Sequence, residues 1–247
     1  MKKFLLGSVG LAAMIAGPAM AADMPLKAPP PVAIFSWTGC YIGAHVGGKS
    51  GDAQVHYGAN ILGVAPGTQA NDPIRMSGAI GGGQIGCNYQ VGAWVFGIEG
   101  DGSVVQFDGQ GIETNFPAFT VQTTEHWLAT ARGRLGYAQD KWLLYVTGGG
   151  AWSEVETINY RTLVPAVSAI QKNTLSGWTV GVGAEYALGY GWSIKGEYLY
   201  IDFSDKTFFS ATTPVAGAEF NVRLRQSVAR FGMNYKFDWG GPVVAKY

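Results

Sequence analysis

From Trp37 onward, apolar and polar residues alternate with a period of two, in runs longer than the roughly five or six residues of a soluble strand. The clearest run is Trp178 to Leu188. Trp178, Val180, Val182, Ala184, Tyr186 and Leu188 fall on one face, and Thr179, Gly181, Gly183 and Glu185 on the other. The same parity sets Trp127, Ala129, Ala131, Leu135 and Tyr137 against Thr130, Arg132, Arg134 and Gly136, and Trp142, Leu144, Val146 and Trp152 against Tyr145, Thr147 and Gly149. It sets Trp94, Phe96 and Ile98 against Glu99, Asp101 and Ser103, and Trp192, Ile194, Tyr198 and Tyr200 against Ser193, Lys195 and Glu197. Near the end, Ala229, Phe231, Met233, Tyr235 and Phe237 oppose Arg230, Asn234 and Lys236. Two glycine-diluted runs come first: Cys40, Ile42, Ala44 and Val46 against Tyr41, Gly43 and His45, and Ala79, Ile85, Cys87 and Tyr89 against Gln84 and Asn88.

Links of two alternating lengths join these eight segments. Gln90 to Ala93, Ala138 to Lys141 and Gly189 to Gly191 are short; 50–74, 108–123, 157–175 and 204–219 are long and rich in Asn, Thr, Pro, Gly and Ser. An even number of long strands with short turns at one end and long loops at the other predicts an all-β fold: an eight-stranded antiparallel transmembrane β-barrel with periplasmic turns and extracellular loops. Trp94, Tyr137, Trp142, Trp192, Tyr235 and Phe237 lie beside the short turns or at the chain's last strand end, as an interfacial aromatic girdle requires.

The N-terminus supplies the route. Lys2 and Lys3, the apolar run Phe4 to Ile15, and Gly17-Pro18-Ala19-Met20-Ala21 have the form of a signal peptide over 1–21, its apolar run too short for a spanning helix. Residues 22–36 read as a Pro-rich periplasmic lead-in, with Pro25, Pro29, Pro30 and Pro31 unsuited to a ladder; 37–237 read as the barrel and 238–247 as a C-terminal tail. Glycine, 37 of 247 residues, suits close-packed or bent strands. Without Lys2 and Lys3 the 17 basic residues fall to 15 against 17 acidic ones, which offers nucleic acid no electrostatic footprint.

The polar face carries the candidate chemistry. Glu99, Asp101, Arg132, Arg134, Glu185, Lys195, Glu197, Arg230 and Lys236 should point inward, and so narrow a barrel is filled by its side chains. Glu185, Lys195, Glu197 and Arg230 should lie side by side, with Arg132 reaching its acids across the lumen. By this parity Val182→Arg should block assembly and Gly183→Ser should be tolerated. The spacing of Glu99 and Asp101 suits a ladder of ion pairs better than acid–base chemistry. His45, His56 and His126 form no ligand motif, and Gly78, Gly81, Gly82, Gly83 and Gly86 lack phosphate-loop spacing, so no catalytic residue, metal or cofactor is expected. Cys40 and Cys87 are bound for an oxidising compartment. Two unpartnered thiols are one reading; their matching heights on neighbouring strands favour a disulfide.

Trp37-Thr38-Gly39-Cys40-Tyr41-Ile42-Gly43, Gly81-Gly82-Gly83-Gln84-Ile85-Gly86, Trp94-Val95-Phe96-Gly97-Ile98-Glu99-Gly100, Lys195-Gly196-Glu197-Tyr198-Leu199-Tyr200 and Arg230-Phe231-Gly232-Met233-Asn234-Tyr235-Lys236-Phe237 follow one another in order. With them the chain resembles the opacity-type and OmpA/OmpX-like barrels, and among these the RopB-like "porin family" outer-membrane proteins. In the resembled barrels the last aromatic strand commonly ends the chain; here Asp238 to Tyr247 follow Phe237. The resemblance implies residence in the cell outer membrane and a structural or surface role. It implies outer-membrane lipid and the barrel-assembly machinery as partners, and an extracellular ligand at the loops. A narrow porin-like diffusion channel and a lipid-modifying enzyme, with His126 near an external strand end, are the alternatives.

Overall fold

The computed structural model describes residues 35–58, 65–69, 74–112, 119–161, 164–209 and 219–237. The expected signal peptide, the tail after Phe237 and all of the lead-in but Phe35 and Ser36 lie outside them. Eight strands follow in chain order: β1 (Gly39–Tyr57), β2 (Ile74–Val91), β3 (Trp94–Ile112), β4 (Phe119–Gln139), β5 (Trp142–Arg161), β6 (Val164–Gly189), β7 (Trp192–Phe209) and β8 (Glu219–Phe237). Each pairs antiparallel with the next, and β1 pairs with β8, closing the barrel and leaving no sheet edge.

Alternation decides which face is which. Val46, Ile85, Ile98, Val182 and Phe231 are more than half exposed on the outer wall, whereas Glu99, Arg132, Lys195 and Arg230 are buried inside. This inverts the order of a soluble barrel. The turn-end girdle forms cross-strand ring pairs: Trp94 with Tyr137 at 5.7 Å, Trp142 with Tyr186 at 4.7 Å, and Trp192 with Tyr235 at 5.1 Å, the last extended by Phe237 at 5.3 Å. Trp152, Trp178 and Tyr200 mark the opposite border of the apolar band, Trp178 and Tyr200 with rings 5.7 Å apart. The short links close as tight turns. Tyr190 and Gly191 both take positive φ, 52° and 82°, as a two-residue hairpin turn that matches strand twist demands.

The strands run 18 to 26 residues, about twice the ~9–11 that cross a bilayer. Most of the excess lies at the loop end. Much of what composition marks as loop is therefore strand: β5 continues to Arg161 and β6 begins at Val164. Hydrogen bonding between paired backbones continues whether or not the side chains are apolar, so polar Thr- and Asn-containing stretches extend the ladder beyond the band.

The interior is layered. At the turn end Trp37 is buried with Val95, Leu143, Tyr145 and Ala187, and Phe35 packs its ring 5.0 Å from that of Trp37. The middle is charged. Toward the loop end Leu128, Leu175, Leu199, Ile201, Phe203 and Leu224 form a second apolar cluster. Cys40 and Cys87 face each other across β1 and β2, their Cα atoms 3.9 Å apart, and a disulfide joins them.

Candidate functional site

The middle layer is built from alternate residues of adjacent strands: Tyr41 and His45 on β1, Gln84 on β2, Glu99 and Asp101 on β3, Arg132 and Arg134 on β4, Tyr145 on β5, Glu185 on β6, Lys195 and Glu197 on β7, and Arg230 and Asn234 on β8. All are at most 7% exposed. Four carboxylates, Glu99, Asp101, Glu185 and Glu197, meet four cations, Arg132, Arg134, Lys195 and Arg230. The layer is therefore neutral as a whole, which keeps any one buried charge from standing uncompensated.

Glu99 is the hub. It accepts from Arg132 Nη2 at 2.5 Å, from Lys195 Nζ at 2.8 Å on both oxygens, and from the Tyr41 hydroxyl at 2.6 Å. Asp101 takes the Arg230 guanidinium on both oxygens, at 2.8 and 3.2 Å, with Arg132 Nη2 at 3.0 Å and the Thr130 hydroxyl beside it. Glu197 accepts from Arg132 Nη1 at 3.0 Å, Arg230 Nε at 2.7 Å and the Tyr145 hydroxyl at 3.0 Å. Glu185 holds Arg134 Nη2 at 2.8 Å, with Asn234 at 2.8 Å and Ser193 at 2.6 Å filling its other oxygen. The guanidinium carbon of Arg134 sits 4.0 Å from the Tyr145 ring centroid and 5.7 Å from that of Tyr41, so its flat faces rest on aromatic rings while its edge pairs with acids.

Eight of the nine residues expected in the lumen meet here, with three corrections to their arrangement. Lys236 stands apart at the turn-end rim, its Nζ donating to the Ser36 carbonyl at 2.5 Å and lying 4.8 Å from the Phe35 ring centroid, because the inward positions of β8 leave the charged layer one step below Asn234. Glu185 and Lys195 are side by side in register, yet Glu185 bonds Arg134, two strands away on β4, and Lys195 bonds Glu99 across the lumen on β3. Arg132 reaches across to Glu197 but also finds Glu99 directly opposite on the neighbouring strand.

Gly183 adds a fourth correction: its face is inward, but the Tyr145 ring covers it, and a Cβ there would run into that ring. Gly183→Ser should therefore displace Tyr145 from Arg134 and Glu197 rather than be tolerated. A loss of ~1–3 kcal/mol is expected, the cost of overpacking, read as a lower urea midpoint of the refolded barrel. Equal midpoints would mean that the ring yields without cost.

Parity also misses Glu125. A register shift between Glu125 and Trp127 inserts His126 as an extra residue, and this bulge turns Glu125 inward although Trp127 faces outward. There Glu125, fully buried, accepts from Lys49 Nζ at 2.5 Å, Ser153 at 2.7 Å and Gln226 at 2.6 Å. His126 is left on the outer wall, 3.0 Å from Glu156, which also takes Lys172 at 3.1 Å. His45, missed as a lumen member for want of a motif, bonds Gln84 through Nδ1 and Ser103 through Nε2 at 2.8 Å.

The family model described as outer membrane protein beta-barrel domain matches residues 9–237. The 31 kDa outer-membrane immunogenic protein of Brucella melitensis biotype 1 is 32% identical over 251 residues, covering 96% of this chain and 100% of the relative. The 25 kDa outer-membrane immunogenic protein of Brucella canis is 27% identical, covering 92% of each. Among solved structures, the outer membrane protease OmpT of Escherichia coli superposes with a TM-score of 0.53 at 9% identity, over 84% of this chain and 99% of OmpT, a likeness of fold alone.

Proposed function

Because the chain belongs to the outer membrane protein beta-barrel domain family and resides in the outer membrane, we propose that it is a structural and surface barrel whose lumen is closed to solute flow. One observation carries this reading: the neutral layer of four acids and four cations at most 7% exposed, set between two apolar clusters. An eight-stranded barrel is just wide enough for its side chains to fill it. An ion moving through would have to part pairs such as Arg230–Asp101 and Lys49–Glu125 and squeeze past Leu128, Leu199 and Phe203. The barrel then serves as an anchor that supports the envelope and presents its loops outside. That the Brucella relatives are named immunogenic agrees with loops held at the cell surface.

We read the chain as non-enzymatic, since each lumen carboxylate is already held by a cation. Residues 1–21 act as signal peptide in this reading, with lipid and the assembly machinery as partners. Refolded protein in planar bilayers should give no discrete conductance steps above the bare membrane. A reproducible open state would replace this reading with a narrow diffusion channel.

A further inference from the structure

One rung beyond the Trp178–Tyr200 border, the outer wall changes from apolar to charged. Asp202 on β7, Arg225 on β8, Asp52 on β1 and Arg75 on β2 stand directly opposite one another, strand to strand, in alternating sign. Arg223, two residues from Arg225, adds a third cation and holds Asp202 at 3.1 Å. The patch thus carries three arginines against two aspartates. Among the described residues Arg225 pairs with Asp202 alone, at 3.5 Å, an acid already held by Arg223, and its Nε is buried without a hydrogen-bond partner there. Arg75 is exposed and has no ion-pair partner among the described residues. Arg75, Arg225 and Asp52 border an open cavity of about 450 Å³ whose floor brings the hydroxyls of Ser50, Ser227 and Tyr200.

Below, from β5 and β6 across β7 and β8 to β1, the apolar band is grooved. A cleft of about 570 Å³ runs between Val46, Ile194 and Phe231, where Ala44, Ala184 and Gly196 leave room that larger side chains would fill. The two hollows have β1, β7 and β8 in common, cavity above and groove below, with about six residues of β1, roughly 20 Å of strand, between their centres.

We propose that together they bind a phosphorylated glycolipid of the outer leaflet, its acyl chain in the groove and its phosphate between Arg75 and Arg225. Under-satisfied guanidinium groups recognise a phosphate by paired, charge-assisted hydrogen bonds. The adjacent aspartate and hydroxyls suit sugar hydroxyls, which both donate and accept. Position selects the source: cations at headgroup height, over an apolar groove that only a tailed ligand fills, favour an amphiphile over a free anion.

The test uses refolded protein in dodecyl maltoside, native mass spectrometry, and three probes: lipid A, its dephosphorylated form, and inorganic phosphate. Lipid A should form a one-to-one adduct that the dephosphorylated form matches at least tenfold less well, with inorganic phosphate neither retained nor competing. R75Q/R225Q should weaken the lipid A adduct about tenfold while keeping heat-modifiable gel mobility, and Ala184→Phe, which fills the groove, should weaken it with both arginines intact. Should the double variant fail to fold, R75Q alone changes an exposed side chain and is read the same way. Equal retention by the arginine variants, equal retention of the dephosphorylated glycolipid, or competition by inorganic phosphate would overturn the proposal.

Discussion

Glu99→Ala should lower the stability of the refolded barrel by ~3–5 kcal/mol, because Arg132, Arg134 and Lys195 would each lose a carboxylate in a layer sealed from water. The loss comes less from a missing attraction than from cations left without compensation. Glu99→Ala combined with Lys195→Ala should therefore cost clearly less than the two single changes added together, since the pair leaves no net charge behind. Urea unfolding of the protein in lipid vesicles measures all three variants. Unchanged midpoints for Glu99→Ala would show that water reaches the layer and solvates the stranded cations, and strict additivity would show that Glu99 and Lys195 act independently.

Val182→Arg should cost ~2–4 kcal/mol and suppress assembly, because Val182 lies on the outer wall near mid-band, opposite Val146 and Tyr198, where an arginine would face hydrocarbon. Val182→Leu, as a control of size without charge, should fold normally. The heat-modifiable shift on gels reads the folded fraction of both. Full folding of Val182→Arg would mean that the guanidinium escapes to an interface or that the band is thinner than the girdles suggest.

The strand count, the inward and outward faces and most of the girdle are legible in the sequence because membrane spanning imposes one rule at every position: outward residues must suit lipid. Trp178 to Leu188 follows it without a break, and the structure places those faces accordingly. The rule fails where a local backbone event changes phase. Nothing in the residues around His126 announces the bulge that turns Glu125 inward, so the Lys49–Glu125 pair cannot be found by counting twos. Pairing within the lumen is illegible for a different reason: register brings Glu185 beside Lys195, but side-chain length and the narrow bore let Glu185 pair with Arg134 two strands away and Lys195 with Glu99 on the far wall. Gly183 shows a third limit. Alternation assigns it a face and says nothing of the ring that rests on it. The strand extensions at the loop end escape because, past the bilayer, the outward face no longer has to be apolar and the periodic signal fades while the ladder continues.

That continued ladder sets the geometry of encounter. With about twice the residues needed to cross the bilayer, the paired strands carry their own loop-side ends well clear of the lipid headgroups on a closed, hydrogen-bonded wall. A tether of the same length would let its tip sample a wide volume and would lose that freedom on capture. The wall has surrendered it during folding, so a molecule meeting those strand ends spends less of its binding free energy on ordering the stalk beneath them.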